Sequence, residues 1–124
     1  MFIYHIGSGE LTELNAGKTS SVGFGYSGLG EGKNNPRMIQ VVGVGPIPPG
    51  HYTIGPAFTS PQSGPITMRL TPEEGTEVYG RSGFEMHGDS KEHPGQASHG
   101  CTVMPPWARK RVAAAEDREL LVVV

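Results

Sequence analysis

Every apolar run in this chain is short, and glycine or proline stands close to each one. "MFIYHI", "MIQVVGV", "ITMRL" and "LLVVV" are separated by segments rich in the 19 glycines and 11 prolines that occur among 124 residues. Glycine supplies positive φ and proline presets turn geometry, so this punctuation suits many short strands joined by tight turns. The glycines follow no simple repeat, which separates the chain from low-complexity disorder of similar composition. The expected class is mainly β, and a chain of this length suffices for one hydrophobic core, so residues 1–124 are expected to form one unit.

Read along the chain, "FIYHI", "GSG" and "ELTEL" form an N-terminal hairpin around a glycine turn. Residues 15–37 are polar and glycine-rich, and read as a long ordered loop or an irregular strand pair, of a length more often functional than idle. "RMIQVVGVG" reads as a strand. "GPIPPGHYTIG" is a proline-fixed turn feeding a strand from His51 to Ile54, "PITMRLTP" is another strand, and "SGFEMH" is one that ends at His87. Pro105 and Pro106 open a helix expected from Trp107 to Asp117, and the closing "ELLVVV" is apolar enough to require pairing inside a sheet.

Several function classes fall away on charge and composition. With 10 basic and 12 acidic residues the net charge is −2, and no electrostatic footprint for nucleic acid is visible. The Arg109-Lys110-Arg111 run, with Lys91, reads as a solvated face. One cysteine forms no internal disulfide. No basic start with an apolar stretch marks a secretion signal, and no run approaches the roughly 18 apolar residues of a membrane span.

Chemistry concentrates in "RSGFEMHGDSKEHPGQASHGCTVM", residues 81–104, which holds three of the five histidines and the cysteine. A thiol becomes a strong nucleophile as a thiolate, and an imidazole nearby can take its proton. His87 lies at a strand end fourteen positions before Cys101, far enough for the chain to turn back on itself. Ser98-His99-Gly100 permits a tight turn whose successive N–H groups can face one anion, as acyl transfer requires. Plainer readings compete: a solitary cysteine is more often a buried, inert hydrophobe, and His5, His51 and His93 read as surface or core residues. Zinc held by His87, His93, His99 and Cys101 is chemically possible, but the spacing matches no common pattern. A redox role lacks the second cysteine of a C-x-x-C pair.

"HGDSKEHPGQASHGC" resembles the signature of L,D-transpeptidases with the YkuD fold, in which a histidine is followed at a distance by Ser/Thr-His-Gly-Cys. "YSGLGEGKNNP" and "GPIPPGHYTIG", with the opening "YHIGSGELTEL" and the closing "ELLVVV", are similar to the small L,D-transpeptidase-like effector domains of type VI secretion, so the resemblance spans nearly the whole chain. It implies a YkuD-like β-sandwich or barrel of short strands with one helix after the cysteine. It also implies Cys101 as nucleophile, His87 as base, and Gly88 as the residue whose carbonyl orients the imidazole. Ser98, His99 and Gly100 would shape an oxyanion turn, with the N–H groups of Gly100 and Cys101 as donors and His99 acting through backbone rather than side chain. Tyr26, Gly28, Gly30 and Asn35 would wall the substrate groove, with Arg81 and Asp89 as further substrate contacts. Two departures stand out: Val103 occupies a position where the broader family often carries Arg or Asn, and the histidine-to-cysteine spacing is at the short end.

The implied activity is peptidoglycan modification on tetrapeptide stems: L,D-carboxypeptidase trimming or D-amino-acid exchange through a Cys101 thioester, with neither metal nor organic cofactor. The implied setting is an antibacterial effector, made in the cytoplasm without a signal peptide, exported by specialised machinery, acting in a target periplasm and countered by a cognate immunity protein. The alternatives are a non-catalytic wall-binding β domain and a housekeeping L,D-transpeptidase that makes 3–3 crosslinks.

Overall fold

The computed structural model describes residues 1–124. Strands β1 (Phe2–His5) and β2 (Glu10–Asn15) form the expected antiparallel hairpin, with Tyr4 opposite Leu11. Alternation along β1 sends Phe2 and Tyr4 into the core, since successive side chains of a strand face opposite ways. Strand β3 (Lys18–Phe24) continues the meander against β2, with a bulge between Leu11 and Thr12. Part of the polar segment 15–37 is therefore regular strand.

Gly25 then carries the chain across the molecule. A Cβ there would lie 1.8 Å from the Val103 carbonyl oxygen, so only glycine lets the backbone pass so close. Strand β4 (Tyr26–Ser27) follows, then a 3₁₀ turn over Gly30–Gly32. After it come β5 (Gly50–Ile54), β6 (Phe58–Ser60), β7 (Gly64–Pro72), β8 (Glu85–His87), β9 (Thr102–Val103), helix α1 (Pro106–Ala114) and β10 (Glu119–Val123).

The mixed sheet runs β3-β2-β1-β10-β5-β7-β8-β9-β4, with β6 on β7. Its two ends, β3 and β4, are consecutive in the chain with Gly25 alone between them, so the sheet curls back on itself around the core. The expected mainly β architecture with one helix after the cysteine is what forms. The closing apolar run lies inside the sheet, parallel to β1 and antiparallel to β5, with Leu120 and Val122 buried. Helix α1 starts at the second proline, as expected, but stops at Ala114, where Arg118 takes the Val112 and Ala115 carbonyls. It adds Ala108 and Val112 to a core of 16 buried residues. No helix is long and apolar enough to cross a membrane.

One expected strand is absent. "RMIQVVGVG" forms a 3₁₀ turn over Pro36–Met38, followed by turns closed by Val41 N–H to the Met38 carbonyl and Gly45 N–H to the Val41 carbonyl. Two influences override the β preference of Val41 and Val42. Asn35 caps the turn, its Oδ1 accepting from Arg37 N–H at 3.0 Å. The Arg81 guanidinium then gathers the carbonyls of Ile39 (2.6 Å), Pro46 (2.8 Å) and Gly45 (2.9 Å), which folds the segment around one cation.

Candidate active site

Strands β8 and β9 run parallel, with Met86 beside Thr102 and His87 beside Val103. One position earlier, Cys101 lies alongside Glu85. Alternation turns Met86 and Thr102, both fully buried, to one face and leaves Glu85, His87 and Cys101 on the other. These three side chains line a surface groove of about 730 Å³, together with Gly88, Asp89 and His99. Cys101 and His99 also line a smaller cavity of about 280 Å³ formed by Val42, Gly43, Arg81 and Phe84. The thiol thus sits on a saddle with a depression on either side.

His87 is 5% exposed. Its Nδ1 lies 2.7 Å from the Gly88 carbonyl oxygen, which assigns the proton to Nδ1 and leaves Nε2 as the unprotonated nitrogen, without a protein hydrogen bond. Gly88 is pressed against the buried Arg109: a Cβ at position 88 would approach Arg109 Nη2 to 2.7 Å. Arg109 in turn donates to the Met104 and Pro65 carbonyls, anchoring the ledge that supports the imidazole.

Cys101 Sγ lies 3.7 Å from the Gly83 carbonyl oxygen. Burial pushes the thiol up to about 11; the Glu85 N–H pulls it down, the Glu85 carboxylate pushes it further up, and the Arg81 charge pulls it down. Burial thus favours the neutral thiol over the thiolate in the free protein. Cys101 and His87 line the same groove, but the hydrogen bond of Sγ goes to the Gly83 carbonyl and not to the imidazole.

Ser98 organises the turn before the nucleophile. Fully buried, it accepts from Gly28 N–H at 2.8 Å and Gly100 N–H at 3.2 Å, and donates to the Cys101 carbonyl at 2.6 Å. The Gly100 N–H is thereby committed within the turn and is not an outward oxyanion donor, whereas Cys101 N–H has no protein partner. Gly100 has φ 127, and a Cβ on it would meet Arg81 Nη2 at 2.4 Å, so only glycine fits. His99 is exposed and its Nδ1 reaches the Gly43 carbonyl at 3.1 Å, which ties the turn to the 39–46 segment.

The expected substrate-contacting residues divide. Asp89 lines the groove, whereas Tyr26 lines an adjoining cavity behind it and is locked to Asp89: Tyr26 Oη donates to Asp89 Oδ1 at 2.5 Å and accepts from Ala97 N–H at 2.9 Å, while Asp89 also receives Ser90 N–H and Gly95 N–H. For Asp89, partial burial opposes ionisation, but the Tyr26 hydroxyl, the two N–H donors and the Lys33 charge outweigh it and hold the carboxyl below its usual range. Burial, reinforced by Asp89, raises the Tyr26 phenol to about 12. Gly28, Gly30 and Asn35 lie off the groove: Gly28 is buried behind Ser98, Gly30 faces open space, and both polar atoms of the Asn35 side chain serve their own turn. Arg81 is 6% exposed and bonded to three carbonyls, so it holds backbone instead of offering a substrate contact. His93 reaches the groove, but no three His, Cys, Asp or Glu side chains converge into a metal-binding group.

Sequence reading missed Glu85 and placed Arg109 on a solvated face with Lys110 and Arg111; Arg109 is instead 7% exposed, with its guanidinium turned inward onto the Met104 and Pro65 carbonyls. A period-2 reading of "FEMH" would have placed Glu85 on the face of His87. Nothing local marks Arg109, whose role depends on packing across 21 positions to Gly88.

A curled, mainly β domain that presents a cysteine, a histidine with a free Nε2 and a glycine-shaped turn at a groove is the class of protein these features define. A family model described as the Tlde1 domain matches residues 22–120. The chain belongs to that family, a type VI secretion effector domain. No curated protein and no solved structure matches it.

Proposed function

We propose that residues 1–124 act as one L,D-transpeptidase-like catalytic domain that removes or exchanges the terminal D-alanine of peptidoglycan tetrapeptide stems. The observation that carries this reading is the common face of β8 and β9, where Cys101 and His87 open into one groove and the Gly88 carbonyl leaves His87 Nε2 as the base. In the first half-reaction Nε2 takes the Sγ proton as Sγ bonds the carbonyl carbon of the third stem residue. The C–N bond to D-alanine then breaks and Nε2 returns the proton to the departing amine. In the second, water or the amine of a free D-amino acid attacks the thioester, gives a proton to Nε2, and Sγ departs and is reprotonated. Cys101 N–H, without another partner, is the oxyanion donor. Because the resting thiol is neutral, the proton moves as the bond forms, and such general-base assistance supplies about 10²–10⁴ in rate.

Trimming or exchange depletes crosslinking donors and weakens a wall, which suits an effector delivered by type VI machinery into a periplasm and restrained by an immunity protein that covers the groove. The raised Cys101 thiol favours one second reading, a wall-binding β domain with an inert cysteine. Mass spectrometry of tetrapeptide muropeptides incubated with the protein, or with Cys101→Ala, with and without D-methionine separates them. Loss of D-alanine, or its replacement by D-methionine, only with intact Cys101 supports catalysis. Unchanged muropeptides with a folded sample point to the binding domain.

A further inference from the structure

Glu85 is the anomaly of the groove. It is half-buried on the face of the nucleophile, its side chain's hydrogen bond is a 3.5 Å contact from Ser63 Oγ, and it forms no ion pair. Its cross-strand neighbour on β7, Arg69, places its guanidinium 4.7 Å over the Phe58 ring instead. A half-buried carboxylate without an ion-pair partner is available to a cationic ligand. Beside Cys101 it also opposes formation of a thiolate, adding to the upward push on the thiol. An unpaired carboxylate that faces a groove and opposes the resting nucleophile is suited to a cationic ligand.

We propose that Glu85 is a specificity-determining residue that binds a primary ammonium group of an amino-acid substrate beside Cys101. This rests on the reading of the groove as an acyl-transfer site. A bound ammonium neutralises the carboxylate, removes its opposition to the developing thiolate charge and fixes the substrate next to Sγ. Two groups share this chemistry: a side-chain ammonium on the third residue of the donor stem, and the ammonium of an incoming D-amino acid, which gives one proton to the Glu85 carboxylate before its neutral amine attacks the thioester.

The first test needs no peptidoglycan. Cys101 is modified with methanethiosulfonate reagents carrying either a trimethylammonium or a sulfonate group, in native protein, Glu85→Gln and Glu85→Asp. A carboxylate this close favours the cationic reagent by about tenfold at low salt. The preference is expected to collapse in Glu85→Gln and return in Glu85→Asp; a ratio unchanged by Glu85→Gln overturns the proposal. Lys91 also lines the groove, and the comparison between variants removes its contribution.

The second test separates the two amines, using stems with lysine or norleucine at the third position and D-methionine as acceptor. If the donor amine is held, Glu85→Gln abolishes the preference for lysine stems. If the acceptor is held, the ratio of exchange to hydrolysis falls about tenfold while the stem preference persists. Neither change, in protein whose thermal unfolding matches native, refutes the assignment. Native protein inactive on every stem refutes the acyl-transfer reading instead, and leaves the reagent comparison to decide on the cation site.

Discussion

Replacing Arg81 by methionine removes the cation around which residues 39–46 fold. The guanidinium is 6% exposed and bonds the carbonyls of Ile39, Gly45 and Pro46 at 2.6, 2.9 and 2.8 Å. The Gly45 and Pro46 contacts are buried, and each orphaned buried acceptor costs about 1–3 kcal/mol. Relief from burying the charge itself, which already lowers the Arg81 pKa, offsets part of that. A net loss of about 2–4 kcal/mol follows, which at this chain length lowers the unfolding midpoint by roughly 8–15 °C. Calorimetry on native protein, Arg81→Met and Arg81→Lys measures it, with lysine recovering part of the loss because one ammonium reaches fewer carbonyls. The same segment receives His99 at Gly43 and walls the small cavity beside Cys101, so activity on stems should fall with stability. A midpoint within about 3 °C of native in Arg81→Met would refute the reasoning, because those carbonyls would then have other partners.

Three other outcomes are expected. Tyr4→Phe should hold or raise stability, by about 1 kcal/mol at most in urea unfolding, because Tyr4 Oη is buried without a partner. Iodoacetamide modification of Cys101 should rise about tenfold per pH unit from 7 towards an inflection near 11; a plateau near neutrality would show a standing thiolate. Since burial raises that folded-state value, the same thiol contributes stability below its unfolded pKa that is lost as pH climbs towards 11. Asp89, held low, acts in the opposite sense: its latch on Tyr26 is present above the ordinary carboxyl range and released as pH falls through its depressed value. Amide exchange at Gly95 and Ala97 should accelerate there, and in Tyr26→Phe at all pH values.

Much of the scaffold was legible because its signals are local. The hairpin around Gly7–Gly9, the strand behind the proline turn, the run ending at His87 and the helix opened by Pro106 each follow from turn chemistry and hydrophobic pattern within a few residues. That Cys101 and His87 line one groove was not legible locally, since it depends on the parallel pairing of β8 with β9. "RMIQVVGVG" misled because its β preference was real and its conformation was decided from outside, by Arg81.

The sequence by itself determined the mainly β class, the buried closing strand and the presence of one thiol and several imidazoles, since strand pattern, glycine turns and residue type are properties of short stretches. Tertiary structure alone decided what those groups can do. Parallel pairing of β8 with β9 set Glu85 beside Cys101, Ser98 consumed the Gly100 N–H, and Arg109 and Arg81 were assigned to carbonyls rather than to ligands. Ionisation and hydrogen bonding depend on distances of a few ångströms between residues far apart in the chain, and only the folded sheet sets those distances.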